Sequence, residues 1–364
     1  MIFRQTGGLE SVHGRHASFD RRSVEKSSPF QEAMTVATPT ADRGPWRRTV
    51  GAVDAWQRRH PVGGLPVAVL KKFSDDRGSS LAALIAFYAF FSLFPLLLAL
   101  VSVLGFVLEG NPSLRDDVLD TALAGIPVIG DQLRDQLHPL EGSGIALAIG
   151  LVVALWAGLG VTLALGRSFA DIWDVPRLDQ LSGLKARARG LAMLAILAVT
   201  LVGATMATGV AVGGDLGPGI EEAAAVILSS MVNVVVFLII FALLTPRPYQ
   251  IRELLPGVVV AALGSLVLQS LGGWYVDRTI SHATAIYGTF ALVIGLLSWF
   301  LLAAHVLLLA AETNVVLRWR LWPRSLAGEL EPADRLALRR FAEATRRDRS
   351  ERIAVSFGEE DESS

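Results

Sequence analysis

"AFYAFFSLFPLLLALVSVLGFVL", residues Ala86 to Leu108, contains no charged side chain. Extended back to Ser79, the uncharged run reaches 30 residues, with Pro95 near its middle. Hydrocarbon about 30 Å thick is crossed by roughly 20 residues of helix rising about 1.5 Å each. Soluble core helices rarely stay uncharged for so long, so this run reads as a membrane span. The rest of the composition agrees: 52% of the 364 residues are hydrophobic and 18% charged, too few charges to cover a soluble protein of this size.

Working outward, five further runs follow the same rule, which gives expected spans at about 79–108, 143–166, 190–214, 223–246, 254–276 and 287–312. Backbone groups in lipid must be paired within the segment, so runs this long and without alternation are helices. The expected fold is an all-α integral membrane protein, a six-transmembrane-helix bundle over residues 43–324. A disordered tail at 1–42 precedes it and a charged, partly helical tail at 325–364 follows. Residues before Met34 are polar and weakly patterned, which leaves open whether translation starts at Met1 or Met34.

Lys and Arg set the orientation. Leaving aside the residues before Met34, 25 fall in the segments on one side of the six spans and 3 on the other, which places both termini in the cytoplasm. The outside segment between the first two spans carries seven acids and two arginines and reads as two short amphipathic helices around "AGIPVIG". It is either a solvated cap or an entry surface for a partner or substrate. Ahead of the first span, "WRRTVGAVDAWQRRHPVGGLPVAVLKKF" sets Trp46, Val50, Val53 and Trp56 on one helical face flanked by arginines. That pattern predicts an interfacial helix, either a plain topogenic anchor or a site for anionic lipid.

Polar groups at membrane depth are the candidate functional residues, because they are costly there. Pro95 lacks an N–H and frees the Phe91 carbonyl, so it should face protein or a wet cavity near Tyr88 and Ser92. Asn233 lies in the fourth span. Ser298, His305 and Glu312 recur every seven residues on one face of the sixth, with Arg318 or Arg167 as the expected counter-charge for Glu312. They read either as a pathway and proton relay or as polar glue between helices. Small residues every four positions mark close helix contact: Gly150, Ala154 and Gly158 in the second span, Gly257, Ala261 and Ser265 in the fifth. The pair Asp75–Asp76 before the first span reads as a helix cap.

Two stretches carry a family resemblance. "IAFYAFFSLFPLLLALVSVLG" resembles the opening span of the YihY/BrkB family of bacterial inner-membrane proteins, and "YGTFALVIGLLSWFLLAAHVLLLAAETN" resembles its last. The matching positions are Tyr287, Gly288, Trp299, Ala311, Glu312 and Asn314, and Arg177, in "DIWDVPRLDQLSGLKARARG", is the counterpart of an arginine in a short aromatic cytoplasmic connection of the family. The resemblance covers about 46–324. Ala310 stands where the family usually has glycine, and His305 where an aliphatic residue is expected. Membership implies an inner-membrane protein of envelope integrity that handles envelope lipids.

Some family members once carried a ribonuclease label. Metal-assisted phosphodiester cleavage needs several carboxylates or histidines on one or two ions, and no such cluster is visible here. No enzyme activity, cofactor, metal or nucleic-acid partner is expected; membrane lipids and envelope-assembly proteins are. The alternatives are a membrane scaffold that recruits those proteins, or a small-solute or ion carrier. The chain has no Gly-x-x-x-x-Gly-Lys-Ser/Thr loop, so any driving force comes from a partner, a proton gradient or lipid asymmetry. Cysteine is absent, which excludes disulfides and thiolate metal sites.

Overall fold

A computed structural model describes residues 45–59, 61–107, 144–212, 220–246, 249–275, 289–326 and 330–357. The chain divides into two units, 1–49 and 50–364, and of the first only the opening turn of one helix is described. The expected external helices between the first two spans, the N-terminal tail and the acidic C-terminus lie outside the described residues.

All regular structure among the described residues is helical. The elements are α1 (Pro45–Arg59), α2 (Pro61–Asp75), α3 (Gly78–Val107), α4 (Gly144–Ile172), α5 (Gly183–Val212), α6 (Ile220–Leu244), α7 (Ile251–Tyr275), α8 (Thr289–Trp319) and α9 (Pro332–Ala344). Five of them are long and apolar enough to cross a membrane: α3, α4, α6, α7 and α8. The expected third span falls on α5, which is 30 residues long and carries Lys185, Arg187 and Arg189 near its start; it is not among the five.

The long helices form a closed ring in chain order. Each packs on its successor from α3 to α8, and α8 returns to α3. Consecutive elements are usually neighbours in space, and the ring follows that rule. Their outer faces are apolar and unburied, Trp156 of α4 being 77% exposed. So much exposed apolar surface belongs to a chain whose solvent is lipid.

Without a hydrophobic drive between helices in lipid, close backbone approach holds the ring. Gly160 of α4 receives the Tyr88 ring, where a Cβ would stand 2.9 Å from Cδ1. Gly158 faces Leu194 of α5. On α7, Gly257 meets Ala310 and Asn314, Gly264 meets Val306, and Gly272 meets Trp299, all of α8. Gly150, Ala154 and Ala261 are buried, whereas Ser265 is half-buried and turned to α6.

One end of the ring holds the densest core. There Phe73, Phe169, Ile172, Trp173, Phe241, Leu254, Leu308 and Val315 pack together. Two helices end at this core on left-handed residues that are not glycine. After α4, Asp174 has φ 46 and Val175 N–H returns to Ala170 O at 2.9 Å. After α8, Arg320 has φ 52 and Leu321 N–H returns to Val316 O at 3.0 Å. This bond pattern closes a helix, usually with glycine at the left-handed position.

Candidate functional site

At the end where α2, α4 and α8 meet, a lysine is sealed inside the protein. Lys72, on the last turn of α2, is 2% exposed. Its ammonium donates to Asp76 and to the Ile172 carbonyl (3.0 Å), the latter at the C-terminus of α4. It also lies 3.8 Å from Asp174 Oδ1 and 3.9 Å from Glu312 Oε2. A cation suits the free carbonyls of a helix C-terminus. Removing one partner from a buried charge group leaves another uncompensated, which costs far more than an exposed pair is worth.

The acids outnumber the base three to one, and their titration reflects it. Burial pushes the Asp174 carboxyl up to about 6, against the pull of Lys72. Burial likewise raises Asp76, although Lys72 pairs with it. For Lys72, burial alone would favour the neutral amine; Glu312, Asp76 and Asp174 outweigh it and lift its pKa above the ordinary lysine value.

Aromatic rings cover the cluster. Trp173 stacks on Tyr249 at 4.5 Å and meets Trp319 edge-on at 5.9 Å. Lys72 lies 5.9 Å and Arg340 3.8 Å from the Trp319 ring centre; cations over an indole face are favourable.

A second buried network joins the helices ahead of the first span to the segment after the last. Asp334, at the third position of α9, reaches back to Glu331 N–H in a capping box. It also accepts from Lys71 (2.8 Å), Arg324 Nε (2.7 Å) and Ser325 N–H (2.8 Å). Burial would raise its pKa; these donors win and hold it below the usual carboxylate value. Arg324 also donates to Asp75 at 2.7 Å, and Gln57 of α1 donates to Asp54 at 2.8 Å and to Arg324 O at 2.5 Å. Asp75 and Asp76 are therefore members of two ion-pair networks rather than a helix cap. On α1, Trp56 and Val53 are exposed, while the adjoining face is bound to protein through Asp54 and Gln57.

Beside this end, α4, the α4–α5 connection, α5 and the end of α6 enclose a cleft of about 400 Å³. Ala170, Met193, Leu243 and Leu244 form apolar wall, with Arg167 and Arg189 among the lining residues. Arg189 donates to the carbonyls of Leu243 and, at 3.4 Å, Thr245, which closes the C-terminus of α6. Gly166 leaves space where a side chain would stand.

The sequence-derived candidates are distributed as follows. Glu312 is fully buried in the lysine cluster, so its counter-charge is Lys72; Arg318 pairs with Glu253 at 3.8 Å and Arg167 lines the cleft. Asn314 is buried and accepts from the Gly257 N–H at 2.7 Å, fastening α8 to α7 beside Pro256. His305 is half-buried, with Nδ1 on the Leu301 carbonyl of its own helix and its ring 5.6 Å from Phe73. Ser298 is exposed, so the seven-residue series does not converge on one cavity. Asn233 donates to Ser265 at 3.0 Å between α6 and α7. Ser92 is buried and donates to Ala89 O at 2.9 Å; Tyr88 is exposed beside Gly160, and Pro95 half-buried.

Sequence reasoning missed Lys72, Asp76 and Asp174. The four-residue step from Lys72 to Asp76 on one helical face was the available signal. Among the described residues, no group of three or more His, Asp or Glu side chains is arranged to hold a metal ion.

Comparison with known proteins identifies the family. The model of the family described as virulence factor BrkB matches residues 69–333, and the chain belongs to that family. It is 24% identical to "Putative ribonuclease-like protein YfkH" of Bacillus subtilis, over 69% of this chain and 94% of the relative. It is 23% identical to "Inner membrane protein YhjD" of Escherichia coli, over 85% of this chain and 93% of the relative. The chain is thus a multi-pass membrane protein of a family with an inner-membrane member. No solved structure matches it.

Proposed function

We propose that this BrkB-family chain is a six-span inner-membrane protein with both ends in the cytoplasm, and that it handles envelope lipids or other amphiphiles without catalysing a reaction. The orientation rests on the Lys and Arg excess, which gathers at the end holding the lysine cluster and the cleft. On this reading α5, the third in chain order, joins the other five as a span.

The observation that carries the reading is the cleft itself. Its apolar wall fits acyl chain, and Arg167 and Arg189 stand where an anionic headgroup at the cytoplasmic interface would lie. A groove with one greasy wall, and with Arg167 and Arg189 outnumbering Asp179 among its charged lining residues, suits an amphiphile better than a hydrophilic solute. Reconstitution with fluorescent phospholipids and glycolipids tests it. The expected result is lipid movement or capture above that of protein-free vesicles, reduced by Arg167→Ala together with Gly166→Leu. Equal behaviour with and without protein across several lipid classes would refute it.

A second reading, a scaffold for envelope-assembly partners, is favoured by α9, where Leu336, Leu338 and Phe341 are exposed. Truncating the tail would not test it, because Asp334 is buried in the fold. Replacing those three side chains by polar ones would.

A further inference from the structure

We propose that Asp76 and Glu312 hold one proton between them, which makes this carboxyl pair a buried proton-binding site. Both carboxyls face the same ammonium: Asp76 accepts from Lys72 Nζ, and Glu312 Oε2 lies 3.9 Å from it. Two ionised carboxylates can only accept, so a bond between them requires a proton. Neither oxygen of Glu312 receives a hydrogen bond from any other described group, although the side chain is 0% exposed.

The charge inventory leads to the same place. Lys72 is the single cation within 4.0 Å of Asp76, Asp174 and Glu312 among the described residues. With all three acids ionised the sealed group would carry two uncompensated negative charges, which burial forbids.

Groups on the surrounding elements repair this balance only in part. Asp75 is committed to Arg324 at 2.7 Å. Arg340 of α9 acts on Asp174 and lies over Trp319. Tyr249 stacks on Trp173, and His305 bonds its own helix. A single proton shared by Asp76 and Glu312 gives Glu312 its missing partner and lowers the net charge at once. Because Asp76 follows α2 and Glu312 belongs to α8, the same proton joins those two helices. The site is independent of what the cleft holds.

Infrared difference spectroscopy of the purified full-length chain tests this. The wild type should show a deuterium-sensitive protonated-carboxyl band at neutral pH. The band should disappear in Asp76→Asn and in Glu312→Gln, and persist in Asp174→Asn. No such band in folded wild-type protein, or its loss in Asp174→Asn alone, would overturn the proposal. Thermal unfolding supplies a second readout. Glu312→Gln supplies a donor in place of the proton, so its midpoint at mildly alkaline pH should equal or exceed that of the wild type, while Glu312→Ala lowers it. A Glu312→Gln protein that fails to fold, or is as unstable as Glu312→Ala at every pH, would contradict the shared proton.

Discussion

Lys72 donates to the carbonyl of Ile172 at 3.0 Å, so a lysine ahead of the first long helix plugs the C-terminal end of the second. Around that contact the chain gathers Asp76, Asp174 and Glu312 from three separate segments. Replacing Lys72 by methionine keeps most of the volume and leaves three acids without their base. The expected loss is about 3–5 kcal/mol, read from chemical unfolding in detergent. Lys72→Arg should also destabilise, because a planar fork does not fit a site shaped for a compact ammonium.

The stability contributed by Asp174 should depend on pH with a defined sign. Its folded pKa, about 6, lies above the usual carboxylate value. The contribution is therefore full below the unfolded pKa of about 3.9 and is lost as pH rises through about 6. Thermal midpoints against pH for wild type and Asp174→Asn should differ in slope within that window.

Asp334 has the opposite sign. Its pKa is held down by Lys71, Ser325 N–H and Arg324, so its contribution is present above about pH 3.9 and lost as pH falls through the lower folded value. Asp334→Ala should free α9 at neutral pH. Limited proteolysis should then cut between 326 and 345 in the variant before it cuts the wild type.

Two helix ends make a simpler prediction. Arg320 occupies a left-handed conformation with φ 52 that costs an ordinary residue roughly 1–2 kcal/mol. Arg320→Gly should stabilise the protein by about 1 kcal/mol, visible as a higher thermal midpoint.

Glycines divide by what surrounds them. A Cβ at Gly257 runs into the Ala310 carbonyl and the Asn314 amide, whereas at Gly166 it meets open space. Gly257→Ala should cost about 1–3 kcal/mol; Gly166→Ala should be tolerated in the same unfolding assay.

Most of the helical layout was legible in the sequence, because uncharged runs as long as Ser79–Leu108 have few alternatives to a membrane span. Glu312 was legible as well, as an acid at the end of such a run. Its partner was not: Lys72 is 240 positions away in sequence and looked like one more topogenic charge. The turns after α4 and α8 were hidden because Asp174 and Arg320 stand where glycine is the usual signal. On α7, steps of four residues drift by about 40° each around a helix. The face packed on α8 therefore runs Gly257, Ala261, Gly264, Leu268, Gly272, while Ser265 rotates toward α6.

Buried Lys72 ties α2 to the ends of α4 and α8 by balancing their acids. A double-mutant cycle of Lys72→Met and Glu312→Gln, read by equilibrium unfolding of the full chain, measures that coupling. Removing an acid should restore part of what removing the base destroys, so the double variant should be more stable than Lys72→Met alone, with a coupling of about 0.5–3 kcal/mol. Two substitutions whose effects simply add would contradict the account.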